Sequence, residues 1–171
     1  MKSLLAQIHA LHLAFSNICG RLCSPLLLFV RLYWGWQFAQ TGWGKLHNLA
    51  KVSDFFTSLN IPFPAFNAHF VSGLEFFGGI LLILGLFARP IALLLTCSMF
   101  VAFWTAEREA FLSIFSNPGK FYTADAYTFL AAAILILAFG PGLFSLDALL
   151  EKKWPLFRAM RDHRERNAVT S

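Results

Sequence analysis

Apolar residues fill four long stretches of the chain, and charged residues are nearly absent from them. Residues 90–106 and 126–146 carry no charge, whereas residues 22–41 and 65–88 each carry one, Arg31 and Glu75 respectively. A membrane-spanning helix needs about 20 mostly apolar residues. The pattern therefore predicts four membrane-spanning helices at about 22–41, 66–87, 90–107 and 125–146.

Proline and glycine mark the ends of these predicted helices. Proline lacks an N–H and disfavours a helical residue before it, so the second helix should begin after Pro64. Gly85 followed by Arg89-Pro90 predicts a short turn, which makes helices two and three antiparallel neighbours. The run 140–142, Gly-Pro-Gly, should break the fourth helix near its end, and Ser145 or Asp147 should cap a following helix.

Residues 1–20 have a different pattern, which is typical of an amphipathic helix. Their apolar positions recur at three- and four-residue steps: Leu4, Leu5, Ile8, Leu11, Phe15, Ile18 and Cys19. Such a helix is expected to lie in the membrane interface. A cleaved signal peptide is the alternative, but Gln7, His9 and His12 interrupt the apolar core that it would require.

The composition supports a membrane protein. Of 171 residues, 23 are charged (14 Lys and Arg plus 9 Asp and Glu), or 13%, and the mean hydropathy is +0.60. Soluble domains usually carry about 25% charged residues, and disorder requires low hydrophobicity. We therefore predict an all-α integral membrane four-helix bundle over residues 21–150. An amphipathic helix over 1–20 precedes it, and a basic tail over 151–171 follows.

The basic residues are distributed unequally between the two predicted sides. Nine lie with the termini: Lys2, Arg21, Arg89, Lys152, Lys153, Arg158, Arg161, Arg164 and Arg166. Four lie on the other side: Lys45, Lys51, Arg108 and Lys120. The positive-inside rule then predicts that both termini are cytoplasmic. The basic tail should contact anionic lipid head groups; nucleic-acid binding is disfavoured, because the tail has no folded reader and contains Asp162 and Glu165.

Two charges are predicted to lie inside the membrane. Arg31 and Glu75 each lie about ten residues into their helices from opposite sides, which places both near the midplane at 1.5 Å per residue. Each alone would cost roughly 2.5–3.5 kcal/mol on insertion scales. We predict an Arg31–Glu75 ion pair or a shared hydrogen-bonded network. It either locks the helices in register or forms part of a ligand site.

Small residues share the helix faces that carry these charges. Gly35 and Gly42 lie on the face of Arg31, and Ser72 and Gly79 lie on the face of Glu75. Small residues allow helix backbones to approach closely in lipid. The pattern therefore predicts close packing between the first two helices.

Further polar residues gather at the non-cytoplasmic ends of the predicted helices. We take as a candidate ligand-binding set Arg31, Glu75, Lys45, His69, Asp125 and Tyr127. An aromatic-lined cavity floored by the charged pair would suit a quinone, which needs apolar walls and donors for two carbonyl oxygens. For Lys45, His69 and Asp125 the alternative is ordinary solvation at the membrane interface.

The cysteines and histidines do not predict a metal or redox centre. Cys19 and Cys23 lie four apart on one helix face, on the predicted reducing side, and they lack the CxxC spacing of a redox motif. His9 and His12 supply only two ligands. We therefore predict neither a structural disulfide nor a metal site, and the role of the Cys19/Cys23 pair stays open.

Three segments together resemble the DoxX family of small four-helix bacterial membrane proteins. The first helix carries Arg31, Gly35, Phe38, Gly42 and Lys45. The second carries Glu75, Gly79, Leu82, Gly85, Leu86 and Arg89. The segment 139–147 resembles the FGPG…SLD ending that many members have.

The resemblance implies a multi-pass protein of the bacterial inner membrane. Some relatives are subunits of thiosulfate:quinone oxidoreductase, and others are linked to thiol and oxidative stress. It therefore favours a component of a redox or stress-response system, at most a membrane subunit of a quinone-linked oxidoreductase. Two alternatives stay open: a non-catalytic membrane partner or maturation factor, with a soluble or periplasmic protein partner, and a small proton-coupled transporter. A homo-oligomer also fits the sequence.

Overall fold

The computed structural model describes the backbone of residues 2–153 and the side chains of residues 22–153. Every regular element in this range is helical. In chain order the helices are α1 (Lys2–Leu46), α2 (Leu49–Ser58), α3 (Pro64–Leu84), α4 (Ala88–Thr105), α5 (Arg108–Leu112), α6 (Pro118–Tyr122), α7 (Asp125–Phe139) and α8 (Leu146–Lys153). The predicted contacts of the tail beyond residue 153 and of Cys19 lie outside the described side chains.

Two helices, α3 and α4, are long and apolar enough to cross a membrane. The apolar helix α7 is shorter, with 15 residues. Large apolar side chains such as Phe29, Phe77 and Leu93 are at least half exposed on the outside of the helices. Such extensive exposed apolar surface is typical of a protein that contacts lipid. The all-helical prediction is confirmed for the described residues, whereas the count of four spans stays a prediction.

The first helix differs from the sequence-based expectation. A boundary was expected near residue 21, between an interfacial helix and the first span, yet α1 continues without interruption from Lys2 to Leu46. Pro25 lies inside this helix without ending it. A continuous helix keeps the backbone groups paired within the segment, which is the arrangement that lipid requires. An interfacial position for residues 1–20 stays a prediction.

The predicted helix ends agree with the structure at one terminus and are wrong at another. Helix α3 begins with Pro64 in its first turn, where the fixed φ of proline suits a helix. The predicted break at Gly-Pro-Gly is confirmed, whereas the predicted end near residue 146 is wrong: α7 ends at Phe139, because Gly140 and Gly142 adopt φ of +78° and +75°. The sequence analysis did not predict the short helices α2, α5 and α6.

The helices pack in two main pairs, α1 against α3 and α4 against α7. The central core joins both pairs through fully buried side chains, among them Phe38 of α1, Leu82 of α3, Leu95 of α4 and Ile136 of α7. A second apolar cluster surrounds Phe103, where α4 meets α5, α6 and the start of α7. The four longest helices therefore contact one another through the central core, and an aromatic cluster joins the end of α4 to the short helices and the start of α7.

Glycines set the spacing of α1 and α3. A Cβ on Gly79 would lie 2.5 Å from the backbone nitrogen of Ala39 and from the carbonyl oxygen of Gly35. A Cβ on Gly42 would lie 2.9 Å from the backbone carbon of Glu75. Only hydrogen fits at these positions, so the two backbones approach as closely as the face of small residues suggested. Ser72 lies on the same α3 face and is fully buried.

We expect Gly79→Ala to lower the free energy of unfolding by about 1–3 kcal/mol, because the added methyl group meets backbone atoms that cannot move aside. Gly73→Ala in the same helix is the matched control, since its Cβ would have no neighbour within 4 Å. The control should be neutral or stabilising by up to about 1 kcal/mol through helix propensity. Thermal unfolding in detergent, followed by tryptophan fluorescence, measures both, and equal stability of the two variants would contradict the close packing.

Candidate functional site

Arg31 is buried between the C-terminal end of α3 and the non-helical segment that follows α7. Its Nε donates to the carbonyl oxygen of Leu82 at 2.9 Å, and its Nη2 donates to that of Ile83 at 3.0 Å. Its Nη1 donates to the carbonyl oxygens of Phe144, at 3.0 Å, and Pro141. The carbonyls of Ile83, Pro141 and Phe144 lie at a helix end or in a non-helical segment without a backbone donor, whereas that of Leu82 also accepts from the nitrogen of Gly85 at 3.1 Å. Arg31 therefore satisfies four backbone acceptors and is 1% exposed.

The predicted ion pair between Arg31 and Glu75 is wrong. Arg31 lies opposite Leu82 and Ile83, and Leu82 lies seven residues beyond Glu75, about 10 Å further along the α3 axis at 1.5 Å per residue. The depths of Arg31 and Glu75 were counted from the expected helix ends. In the structure, α1 extends beyond its expected span at both ends. The register between the helices therefore differs from the one that equal depths implied.

Asp147 caps α4, a role that the sequence analysis missed. Its carboxylate accepts hydrogen bonds from the backbone nitrogens of Phe87, at 2.9 Å, and Ala88, at 3.0 Å. The available signal was Phe87 itself, an N-cap residue without a polar side chain, so the N–H groups of the first turn require an acceptor from elsewhere in the chain. The prediction that Ser145 caps the helix after the break is confirmed, because its Oγ accepts from the nitrogen of Ala148.

Glu75 pairs with Lys45. The Lys45 Nζ lies 2.6 Å from Glu75 Oε1 and 2.7 Å from Oε2, so the ammonium is shared by both carboxylate oxygens. The Glu75 side chain is 1% exposed, and that of Lys45 is 37% exposed. Gly42 faces the backbone of Glu75, which brings Lys45, one turn further along α1, within reach of the carboxylate. A buried carboxylate thus has a partly accessible counter-ion.

The Lys45–Glu75 pair lies in the wall of a cavity of about 660 Å³ between α2, α3 and α4, which we call the Lys45 cavity. Most of its lining is apolar and comes from Val52, Phe55, Phe56, Leu59, Phe70, Val71, Leu74, Leu94, Met99, Val101 and Ala102. Its other polar lining residues include Lys51, Asn67, Cys97, Ser98 and Thr105. Ligand pockets typically measure about 300–1,000 Å³ and combine apolar walls with a few polar groups.

The helix packing explains why the space opens there. Gly78 of α3 faces Ile91 and Leu95 of α4, with 3.3 and 3.5 Å to a Cβ built on the glycine. The lining residues of both helices lie on the other side of this contact, towards Asn67 and Thr105, and α2 completes the wall with Phe55 and Phe56. The cavity therefore lies where α3 and α4 diverge, because the two helices touch nearer the turn that joins them.

The remaining candidate residues are not part of this wall. His69 is exposed, and its Nδ1 lies 2.8 Å from the carbonyl oxygen of Ala65 in its own helix. Asp125 is exposed in the first turn of α7. Tyr127 packs against Phe103, Phe121 and Tyr122. Of the six predicted ligand-binding residues, the structure brings together Lys45 and Glu75 and separates the other four from them.

An exposed ion pair lies at the loop side of the aromatic cluster. Lys120 Nζ donates to Glu109 Oε2 at 2.8 Å, and this hydrogen bond together with the positive charge holds the pKa of Glu109 below its usual value. Because Glu109 is almost fully exposed, solvent screens this interaction. The ion pair connects α5 to α6 at the surface, and neither of its residues lines the Lys45 cavity.

The cysteines with described side chains are both free thiols, Cys23 and Cys97. Cys97 is exposed and lines the Lys45 cavity. Within residues 22–153, no group of three or more His, Cys, Asp or Glu residues is placed to hold a metal ion. No role was predicted for Cys97. Its position in the cavity wall depends on the distance between α3 and α4, which the sequence does not show.

These contacts predict which charges are energetically coupled. In a double-mutant cycle, Lys45→Gln and Glu75→Gln should show an interaction energy of about 0.5–3 kcal/mol, since each leaves the other without its partner. Arg31→Gln and Glu75→Gln should be additive within about 0.5 kcal/mol, because the two sites share no contact. Urea or thermal unfolding of the purified variants measures both cycles. Strong coupling in the second cycle, with none in the first, would contradict the arrangement.

Comparisons with known proteins place this chain among membrane proteins. The DoxX family model matches residues 26–108, which run from the middle of α1 to the start of α5. The "Inner membrane protein YqjF" of Escherichia coli (strain K12) is 30% identical over 134 residues, covering 75% of this chain and 94% of that protein. An "Uncharacterized protein" of Haemophilus influenzae is 28% identical over 138 residues, covering 75% of this chain and 85% of that protein.

No solved structure matches this chain. The segment that the family model matches contains Arg31, Lys45 and Glu75 together with the glycines of the α1–α3 interface. With this match, and with 30% identity across nearly the whole length of the E. coli protein, the chain belongs to the DoxX family of membrane proteins.

Proposed function

We propose that this protein binds a small apolar ligand with a polar head group, such as a quinone, in the Lys45 cavity. The observation that carries the proposal is an apolar cavity of about 660 Å³ with a buried ion pair in its wall. Apolar walls hold a hydrocarbon body, and a few directed polar groups orient the head. The family resemblance adds a redox or stress-response setting, in which a quinone is the natural ligand.

The exposure of the lining favours a ligand that arrives through the bilayer. Phe70 of α3 and Leu94 and Val101 of α4 line the cavity, and each is about half exposed. Both helices are long and apolar enough to span a membrane, so their exposed faces meet hydrocarbon. An apolar molecule dissolved in the bilayer could reach the cavity sideways without crossing water.

Lys45 is the group best placed to contact the ligand head. An ammonium has three donors, and the two short contacts to Glu75 leave one unassigned. Lys45 is partly exposed and lines the cavity, whereas the buried Glu75 holds the ammonium in position. A carbonyl oxygen of a ligand would then accept from Lys45 while Glu75 keeps the charge balanced.

Cys97 provides a direct test of occupancy. In a Cys19→Ser/Cys23→Ser background, Cys97 is the only one of the three cysteines left, and its maleimide labelling reports access to the cavity. We expect decylubiquinone, added to protein in phosphatidylcholine nanodiscs, to slow this labelling several-fold. Ser98→Trp, which fills part of the cavity, should remove the protection.

The matched control moves the thiol out of the cavity. Leu93 lies on the same helix, is half exposed and does not line the cavity. In the variant that combines Cys97→Ser with Leu93→Cys, decylubiquinone should leave the labelling rate unchanged. Equal slowing at both positions would show only partition of the quinone into the bilayer and would count against the proposal.

We propose in addition that the chain crosses the inner membrane four times, through residues 22–41 of α1 and through α3, α4 and α7, with both termini cytoplasmic. The support is the excess of Lys and Arg on the predicted cytoplasmic side. The relative's printed name, an inner membrane protein, agrees with this location.

Reporter fusions test this topology. Green fluorescent protein attached after Ser171 should fluoresce, because it folds in the cytoplasm. Alkaline phosphatase fused after Phe115, between α5 and α6, should be active, because that loop is predicted to be periplasmic. The reverse pattern at both sites would refute the orientation.

A further inference from the structure

We infer that the ligand of the Lys45 cavity is an amphipathic anion, an apolar chain that ends in a carboxylate or a phosphate. This inference rests on the proposed function, an apolar ligand with a polar head in the Lys45 cavity, and favours an anionic head over the neutral head of a quinone. Three charged residues line the cavity: Lys45, Lys51 and Glu75. Two are cations and one is an anion, so the lining carries a net charge of +1 (2 − 1).

The charge of Lys45 is already balanced. Its ammonium contacts both carboxylate oxygens of Glu75 at 2.6 and 2.7 Å. Glu75 is buried, so this carboxylate is available only to its partner. The unbalanced charge in the lining is therefore that of Lys51.

Lys51 lies on α2 and has no carboxylate within ion-pair distance among the described residues. The nearest acidic residue in sequence, Asp54, lies on the same helix but does not line the cavity. Lys51 is exposed, so water can solvate its ammonium group. A ligand that displaces this water has to replace it with an acceptor, and an anion does so most favourably.

Two other polar groups of the lining already have partners. Asn67 uses its Nδ2 on the carbonyl oxygen of Pro62, and Thr105 uses its hydroxyl on that of Val101. The donors that remain include the Ser98 hydroxyl and the ammonium hydrogens of Lys45 and Lys51, and of these only the ammonium groups are charged. A head group rich in acceptors, with one negative charge, matches them better than a neutral head does.

The apolar part of the cavity fits a chain. Phe55 and Phe56 of α2, Phe70 and Leu74 of α3 and Leu94 of α4 form its walls, and several of them are also exposed. A hydrocarbon chain lying in the cavity would bury these side chains at about 25 cal/mol per Å² of apolar surface. Carboxylates from fatty acids and phosphates from lipids share this architecture, and the experiment separates the two sources.

The test uses two matched probe pairs and decylubiquinone in phosphatidylcholine nanodiscs at pH 8. Oleate is compared with methyl oleate, and oleoyl lysophosphatidate with monooleoylglycerol, by the concentration that half-protects Cys97 from maleimide in the Cys19→Ser/Cys23→Ser background. We expect at least one anionic probe to protect at about fivefold lower concentration than its neutral partner, the effect of roughly one lysine charge. The pair with the larger difference identifies carboxylate or phosphate.

Variants assign the effect to the cavity. Lys51→Gln should remove the preference for the anion, whereas Lys153→Gln on α8, which does not line the cavity, should retain it. Equal protection by charged and neutral probes, or a preference that survives Lys51→Gln, would overturn the inference and leave the proposed function standing. Failure of all five probes, including decylubiquinone, to protect Cys97 would overturn both.

Discussion

A polar backbone group that lies in hydrocarbon must have its hydrogen-bond partner within the protein. Arg31 provides such partners where α3 ends beside the non-helical segment after α7. At the end of α3 and in the segment after α7 the guanidinium donates to four carbonyls, three of which have no backbone donor. The negative end of the α3 dipole favours the cation there. Asp147 meets the converse need at the start of α4, where N–H groups lack acceptors. The two residues thus complete adjoining helix ends.

This arrangement sets the register on which the cavity depends. With Arg31 opposite Leu82 and Ile83, and with Gly35 and Gly42 against α3, α1 can take only a narrow range of positions along its neighbour. That register brings Lys45 to Glu75. A shift by one helical turn would separate the ammonium from a buried carboxylate, at the cost of an unpaired charge. The Lys45–Glu75 pair therefore depends in part on the contacts of Arg31 with Leu82 and Ile83, which lie about 10 Å further along α3 than Glu75.

The fold could be predicted in outline from the sequence, and the site only in part. Apolar stretches, Pro64 and the Gly-Pro-Gly run indicated helices and breaks, because these signals are local. The partner of Arg31 could not be found in this way, since its acceptors are backbone carbonyls and no residue type marks them. Lys45 was included among the candidates, but its pairing with Glu75 was not predicted, because the register of two helices depends on the fit of glycines across the interface. The short helix α2, which completes the cavity, was not predicted because its ten residues are too few for a membrane span, although Leu49, Val52, Phe55 and Phe56 recur at helical spacing.

The charged residues at the α3–α4 turn and at the Lys45 cavity divide into two classes by what they contact. Arg31 and Asp147 bond the backbone and use their capacity within the fold, so a ligand has little to gain from them. Lys45 and Lys51 face a cavity and retain donors, while the buried Glu75 balances only one of them. Lys51 is exposed, so water satisfies its donors, and a ligand that displaces this water has to supply an acceptor in its place. The amphipathic anion proposed for the Lys45 cavity supplies such an acceptor, which the carboxylates of the described chain do not.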